Sequence, residues 1–302
     1  MTQTAPLCGF LNVLKPPGCS SAAVVGHVRW LLHGQKVGHA GTLDPEAAGV
    51  LPLMVGKAAR LFDDLQDKEK AYVAEIAFGA ATDTQDAQGR VIETGECYPT
   101  RDAILAALPA FTGEIWQTPP MFSALKRDGR PLYQLAREGV EKQIEPRQVT
   151  VGELALLQMT GNHGALLKVR CSKGFYVRTL CHDLGHALGC PAHMRFLLRT
   201  QSGPFTLEGA MTLEAIGSAV ASHSPRLIPP EEALSHMPRA VAPKGLERAA
   251  TTGGRLPWNA FGALRGTKAE AGAPFLLWLN GRLLGVAVRQ GEQVRLRTWL
   301  YD

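Results

Sequence analysis

Strand-like runs and amphipathic helices alternate along this chain, and the mixture predicts a mixed α/β (α+β) fold. Two observations carry that prediction. Residues 70–79, Lys-Ala-Tyr-Val-Ala-Glu-Ile-Ala-Phe-Gly, alternate with period two, so Tyr72, Ala74, Ile76 and Phe78 share one strand face and Glu75 points to the other. By contrast, Val24, Val25, Val28, Leu31 and Leu32 fall on one helical face, behind a capping Ser20 or Ser21 and ahead of Gly34, a helix stop. The length of 302 residues allows one large domain plus a small one, and 45% hydrophobic residues suffice for a sizeable core. With 20% charged residues, general disorder is excluded.

The remaining elements follow in order. An apolar run from Gly9 ends in the turn Lys15-Pro16-Pro17-Gly18. Leu51 to Val55 reads as a buried strand. Thr100 to Leu108 reads as a capped helix with Ile104, Leu105 and Leu108 inward. Two strands, Arg147 to Met159 and Ala165 to Cys171, flank a turn, and a helix follows with Leu180, Leu184 and Leu188 on one face and Gly189 at its end. Five prolines between 218 and 243 (Pro225, Pro229, Pro230, Pro238, Pro243) mark an irregular linker. Beyond it come a helix from Lys244 to Thr251, a Gly253-Gly254 turn, a hairpin around Asn280-Gly281 and a last strand from Gln293 to Leu300.

Bulk features narrow the function classes. No apolar run approaches a membrane span, and Met1 to Pro6 lack the basic and apolar regions of a signal peptide. The cysteines Cys8, Cys19, Cys97, Cys171, Cys181 and Cys190 form no C-x-x-C pair, so reduced thiols in a cytoplasm are expected. The net charge of +5 is unevenly placed. Residues 1–239 balance 23 basic against 23 acidic side chains, whereas residues 240–302 hold 9 and 4. A small basic C-terminal module fits a polyanion such as RNA or DNA, and equally an ordinary solvated surface.

The stretch that organises the chain is Gly38-His39-Ala40-Gly41-Thr42-Leu43-Asp44-Pro45-Glu46-Ala47-Ala48-Gly49-Val50-Leu51-Pro52. Pro45 pushes Asp44 out of the α region, and the glycines permit close backbone approach, so a rigid loop presents one carboxylate and the His39 imidazole. An isolated loop aspartate usually closes an Asx-turn. The whole string, however, resembles the central motif of pseudouridine synthases of the TruB type, G-H-x-G-T-L-D-P-x-A-x-G-V-L-P, in which the Asp is catalytic.

Other stretches carry the same resemblance, which is dense from residue 9 to about 205. Residues 12–21 are similar to the motif N-x-x-K-P-x-G-x-T-S, with Ser20 in place of the usual Thr; Lys15 is then a substrate or positioning residue, with support of the catalytic loop favoured. Ala59 replaces a usual Thr, while Lys57 and Arg60 are kept. The run from Lys70 is similar to K-x-Y-x-x-x-x-x-x-G, whose Tyr, here Tyr72, lies against the target base, although periodicity alone favours core packing. Thr82 to Gly89 matches T-D-T-x-D-x-x-G, with Asp83 and Asp86 as turn formers and Asp86 a candidate RNA contact. Residues 118–139 resemble a signature of stand-alone members that closes over the RNA, with Lys126, Arg127, Arg130 and Arg137 on phosphates. Ser172 to Leu180 resembles S-K-G-x-Y-I/V-R-x-L, implying that Tyr176 lines the pocket and that Arg178 pairs with Asp44 to keep it ionised. His193 to Thr200 resembles H-x-x-x-L-x-R-T, with Leu197 near the substrate.

The resemblance implies a curved, largely antiparallel sheet flanked by helices in a catalytic domain (1–235, with an RNA-closing segment at about 118–145), followed by a PUA-like RNA-binding β-barrel (240–302). It implies isomerisation of the T-loop uridine of tRNA by a cytoplasmic monomer, without cofactor, metal or guide RNA. The base would be extruded into a pocket, with His39 in the vacated space, Tyr72 stacked on the base and placed to help with the C5 proton, and Asp44 as nucleophile or base. Attack at C1′, addition to C6 and removal of a C2′ proton all remain open as its first step. Three other readings compete: a non-catalytic tRNA-folding chaperone, a guide-RNA-dependent synthase, and a zinc hydrolase built on His182 and His186 with Cys190 and His193 nearby. The zinc reading is disfavoured because Asp183 is shorter than the Glu of H-E-x-x-H, leaving solvent-facing histidines as the better account.

Overall fold

The computed structural model describes residues 7–66, 69–123, 125–127, 129–139, 143–161, 163–261 and 272–300. The first half comprises β1 (Gly9–Lys15), α1 (Ser21–Leu31), β2 (Val37–His39), β3 (Ala48–Val55), α2 (Phe62–Gln66), β4 (Lys70–Phe78), β5 (Ala80–Thr82), β6 (Val91–Thr94), α3 (Arg101–Ala107) and β7 (Gly113–Gln117). Then come β8 (Lys126–Arg127), β9 (Arg130–Pro131), α4 (Leu132–Arg137), β10 (Arg147–Met159), β11 (Gly164–Cys171), α5 (Val177–Ala187), β12 (Ala192–Ser202), β13 (Phe205–Thr206), α6 (Leu213–Ala221) and α7 (Pro230–Ala233). The C-terminal part holds β14 (Arg239–Val241), α8 (Glu247–Thr251), β15 (Leu256–Pro257), β16 (Pro274–Leu279), β17 (Arg282–Gln290) and β18 (Gln293–Trp299).

A nine-stranded sheet runs in the order β1-β3-β12-β4-β11-β10-β7, with β2 added to β3 and β13 to β12. Every pairing in it is antiparallel except β12 with β3, where Leu198 and Arg199 lie parallel to Ala48 and Gly49. The expected mixed fold with a largely antiparallel sheet is therefore observed. β4 is central, so Tyr72, Ala74, Ile76 and Phe78 are buried as their alternation requires. α1 starts where expected: Ser20 accepts from the Ala23 N–H, and Val24, Val25, Val28 and Leu32 enter the core.

The parallel β3–β12 contact fixes the organising loop. Gly49 has φ +112°, and a Cβ there would stand 2.2 Å from the Arg199 carbonyl oxygen. Only glycine lets the two backbones approach this closely. Gly49→Ala is expected to destabilise the protein by about 2–4 kcal/mol, read as a lower denaturant midpoint at unchanged slope.

A second sheet, β14-β16-β17-β18-β15, carries the C-terminus. Its central hairpin is the expected one, with φ 49° at Asn280 and 76° at Gly281, the doubly positive turn that matches strand twist. This sheet does not stand apart: Leu276 and Val286 share an apolar cluster with Phe10, Val50, Met54 and Leu61 of the first sheet's region. Arg60 also donates to the Trp299 carbonyl at 2.7 Å, and Arg297 pairs with buried Asp64.

Several expectations are corrected. The 218–243 segment is no free linker: it contains the end of α6, α7 and β14, Ile228 exchanges backbone hydrogen bonds with Phe10, and Leu234 is fully buried. Its prolines end short elements that the apolar residues between them pin down. In α3, Ile104 and Leu108 turn inward as expected, but Leu105 is 37% exposed, because a seven-residue helix buries only one narrow face. The helix expected from Lys244 begins only at Glu247. Reduced thiols throughout were also expected, yet Cys97 and Cys190 form a disulfide, their Cα atoms 5.6 Å apart. The two lie 93 residues apart, and the fold brings the loop after β6 onto the end of α5, which local spacing could not reveal.

Candidate active site

Asp44 sits in the loop between β2 and β3, at the wall of a cavity of about 600 Å³. Three buried side chains from outside the loop hold its backbone. Lys15, fully buried at the end of β1, donates to the carbonyls of Pro16, Pro45 and Ala47 at 2.9, 2.8 and 2.7 Å. Ser21, at the start of α1, donates through its hydroxyl to the Leu43 carbonyl and accepts from the Leu43 N–H, both at 2.9 Å. Arg199 on β12, 1% exposed, donates through Nε to Val50 and through its two Nη atoms to Thr42 and Gly41. Buried and partly buried carbonyls need such donors, and together these side chains satisfy seven of them, six within the stretch from Gly41 to Val50 that carries Asp44.

Lys15 and Arg199 are thus buried cations spent on carbonyls. Burial pushes the pKa of each down, and the nearby Asp44 charge opposes that shift. Lys15 has no face open to a substrate, and its ammonium is occupied on the carbonyls of Pro16, Pro45 and Ala47. The sequence reasoning overlooked Arg199 and Ser21, although both stood inside quoted motifs. An arginine near the end of a motif and a serine beside a helix cap carry no mark of burial until the fold supplies it.

Arg178, 5% exposed in its side chain, rises from the first turn of α5 to meet Asp44. Its Nε lies 3.0 Å from Asp44 Oδ2 and its Nη2 3.4 Å from Oδ1. The same guanidinium donates to the carbonyls of Thr84 and Phe122 at 3.1 and 2.8 Å and faces Asp86 Oδ2 at 3.5 Å. Such a fork fixes a carboxylate's direction as well as its charge. Desolvation in the cavity raises the Asp44 pKa, and Arg178 is the largest opposing influence. Asp86 is held in turn, since its Oδ1 accepts from the Thr84 hydroxyl at 2.7 Å and the Gln88 N–H at 3.0 Å.

Of the residues singled out in the sequence, His39, Asp44, Asp86, Arg178 and Leu197 line this cavity. Burial and the Arg199 charge lower the His39 pKa, so its imidazole is neutral at pH 7. Tyr72 and Tyr176 are not on the cavity wall. Tyr72, 7% exposed, lies across the strand pair from Arg199; burial pushes its phenol up to about 12, and the Arg199 charge opposes that rise. Tyr176 stands before α5 with the Arg147 guanidinium over its ring at 4.9 Å and its backbone clasped by the Gln117 amide. Phe122 and Ser123, from the expected RNA-closing segment, line the cavity instead, as do Arg195 and Phe196. Of the basic residues assigned to that segment, Arg130 pairs with Glu138, and the side chains of Lys126, Arg127 and Arg137 lie outside the described residues.

The residues of the zinc reading do not come together among the described residues. Cys190 is in the disulfide, His193 Nδ1 contacts the Ala80 carbonyl at 2.8 Å, and no group of three metal-ligating side chains occurs among the described residues. His186 is exposed as expected, but His182 is half-buried, its Nδ1 shielded without a hydrogen-bond partner.

Comparison with known proteins places this geometry. Residues 29–177 match the TruB family pseudouridylate synthase N-terminal domain, and residues 178–237 match the tRNA pseudouridylate synthase B C-terminal domain. A tRNA pseudouridine synthase B from Symbiobacterium thermophilum is 50% identical over 236 residues, covering 77% of this chain and 78% of its own. One from Azoarcus sp. is 42% identical over 95% of this chain and 93% of its own. Among solved structures, an H/ACA RNP bound to a substrate RNA containing 2′-deoxyuridine aligns over 97% of this chain and 85% of its own, with TM-score 0.73 and 25% identity. A Cbf5-Nop10-Gar1 complex aligns over 93% and 78%, with TM-score 0.71 and 28% identity. With two contiguous family models and relatives of this identity across most of its length, the chain is an isomerase and belongs to the TruB family of pseudouridine synthases.

Proposed function

We propose that this protein converts the T-loop uridine at position 55 of tRNA to pseudouridine, with Asp44 as the reacting carboxylate. The observation that carries the proposal is the Asp44–Arg178 pair, held by buried donors at the wall of a cavity large enough for a nucleotide. The reaction breaks the N-glycosidic bond, turns the uracil and joins C5 to the sugar. It needs neither redox change nor an external group, so no cofactor or metal is invoked. A uridine inside a folded loop must first be extruded. His39, neutral and flat, takes the vacated space. Leu197 packs beside the nucleotide, and Asp86 holds Arg178 from the far side. Tyr72 and Tyr176 are assigned to the base through the resemblance alone, since neither lines the cavity. A phenol raised to about 12 suits Tyr72 to stacking rather than to proton abstraction at neutral pH.

The C-terminal sheet is assigned as a PUA-like RNA-binding unit of residues 240–302 on a catalytic domain of residues 1–235. Its basic excess supports that reading. The 118–139 signature supports a stand-alone enzyme that needs no guide RNA, and we assign it to the cytoplasm as a monomer. A bare tRNA transcript mixed with the purified chain tests this: pseudouridine is expected at position 55, and a transcript with cytidine there should yield none. A requirement for further protein or RNA components would overturn the stand-alone reading. The chaperone reading is not favoured, because Asp44 and Arg178 keep the geometry of a reacting pair.

Arg178 gives a pH test. In Arg178→Lys a single ammonium replaces a fork that serves two carboxylates and two carbonyls. The charged form of Asp44 loses its strongest support while desolvation remains, so its pKa rises further. The acid limb of kcat/KM should move to higher pH, measured by initial rates across pH 4–8 (a range of about four units around ordinary carboxylate and imidazole values). An unmoved limb would mean that Asp44 ionisation does not control the rate.

A further inference from the structure

β12 does not alternate regularly where it passes the cavity. Its pairing with β4 shifts register between Met194 and Phe196, a bulge. Met194 and Leu197 point into the core, while Arg195 and Phe196, adjacent in sequence, both face outward. Bulges of this kind re-aim side chains beside active sites. Here the result is a phenyl ring, 40% exposed, on the lining of the cavity that holds Asp44. No other aromatic ring among the described residues stacks on it. Its neighbour Arg195 is half-exposed and held by Glu75, with Nη1 3.0 Å from Oε1, so a guanidinium is fixed beside the ring.

Resting on the proposed reaction, we infer that Arg195 and Phe196 form a stacking lip for the nucleobase next to the extruded uridine in the RNA strand. The physical argument is an imbalance that extrusion creates. Taking one base out of a stack strips a face from each neighbour, and an exposed ring at the rim can cover one of those faces. Aromatic platforms flanked by cations are the usual means of holding unpaired nucleotides without reading their sequence. Arg195 then lies where the connecting phosphate passes, and Phe196 supplies the flat surface. The lip would decide how firmly the strand is held open, separately from the chemistry at Asp44.

The test is a binding cycle in the Asp44→Asn background, so that turnover does not enter. Phe196 is changed to Ala, Leu or Tyr, and affinity is measured by fluorescence anisotropy for three T-loop hairpins: intact, abasic 5′ of the target, and abasic 3′ of it. On the intact hairpin, Phe196→Ala should weaken binding about tenfold, Phe196→Leu nearly as much, and Phe196→Tyr less than about twofold. On the hairpin lacking the stacked base, Phe196→Ala should cause no further loss. Equal loss on all three hairpins, or none on the intact one, would overturn the inference. Near-native melting temperatures are expected, because the ring is partly exposed, and they separate the effect from misfolding. Pseudouridine formation by the parent protein is scored independently, so a failure of the proposed reaction does not pass for a failure of the lip.

Discussion

Asp44→Asn is expected to lower pseudouridine formation by about 10⁴-fold or more, the scale on which a reacting acid–base or nucleophilic group acts. Affinity for tRNA should stay nearly unchanged, because Asn keeps the shape and Arg178 retains Asp86 and the carbonyls of Thr84 and Phe122. The stability change has a definite sign. Desolvation raises the Asp44 pKa in the folded protein, so between the unfolded and folded values the native state binds more protons. Stability contributed by this group therefore falls as pH rises through that window, and at pH 7 the ionised carboxylate opposes folding. Asn removes that penalty, at the expense of one partner of Arg178. No loss of melting temperature at pH 7 is expected, and thermal scans at pH 5 and 7 should show the wild type gaining on the variant at the lower pH. A large drop in both affinity and melting temperature would instead make Asp44 a structural residue.

Arg199→Met should do the opposite: it leaves Asp44 in the chain but releases the loop that presents it. Three carbonyls, the buried one of Val50 and the partly buried ones of Gly41 and Thr42, lose their donor. Each unsatisfied group costs about 1–3 kcal/mol, and relief from burying a cation returns part of this, so a net loss of about 3–5 kcal/mol is expected. Lys15 cannot compensate, because its ammonium is already occupied on Pro16, Pro45 and Ala47. The denaturant midpoint reads the stability, and single-turnover rates read the activity. Both should fall in Arg199→Met, whereas Asp44→Asn separates them. Arg199→Lys, which keeps charge but loses the planar fork, should recover only part of the stability. Native stability in Arg199→Met would show that the loop holds its shape without the guanidinium.

These two residues also show what the sequence made legible. The Asp44–Arg178 pair spans 134 residues, yet both stood in strings whose resemblance named their roles, and the structure brings them to 3.0 Å. Tyr72, Ala74, Ile76 and Phe78 declared their strand by alternation, and Asn280-Gly281 declared its hairpin through the positive φ values that such a turn demands. Arg199 was harder to see, because a buried cation without a carboxylate partner leaves no pattern: its partners are backbone carbonyls, which no side-chain spacing encodes. Cys97 and Cys190 meet only through the return of the β5–β6 hairpin onto α5. Phe196 faces the cavity because of a bulge, and a one-residue register shift leaves no mark in the motif from His193 to Thr200. The α7 region was disguised by its prolines, which mark chain direction but not burial.

The most direct test of the central claim is tritium release from tRNA carrying C5-tritiated uridine, with wild type and Asp44→Asn assayed side by side. The account predicts release by the wild type, to the extent of one uridine per tRNA, and none by the variant, with equal tRNA binding by both. Release by both proteins would contradict Asp44 as the reacting group. No release by either, on a transcript shown to bind, would contradict the proposed reaction and return the tRNA-folding reading.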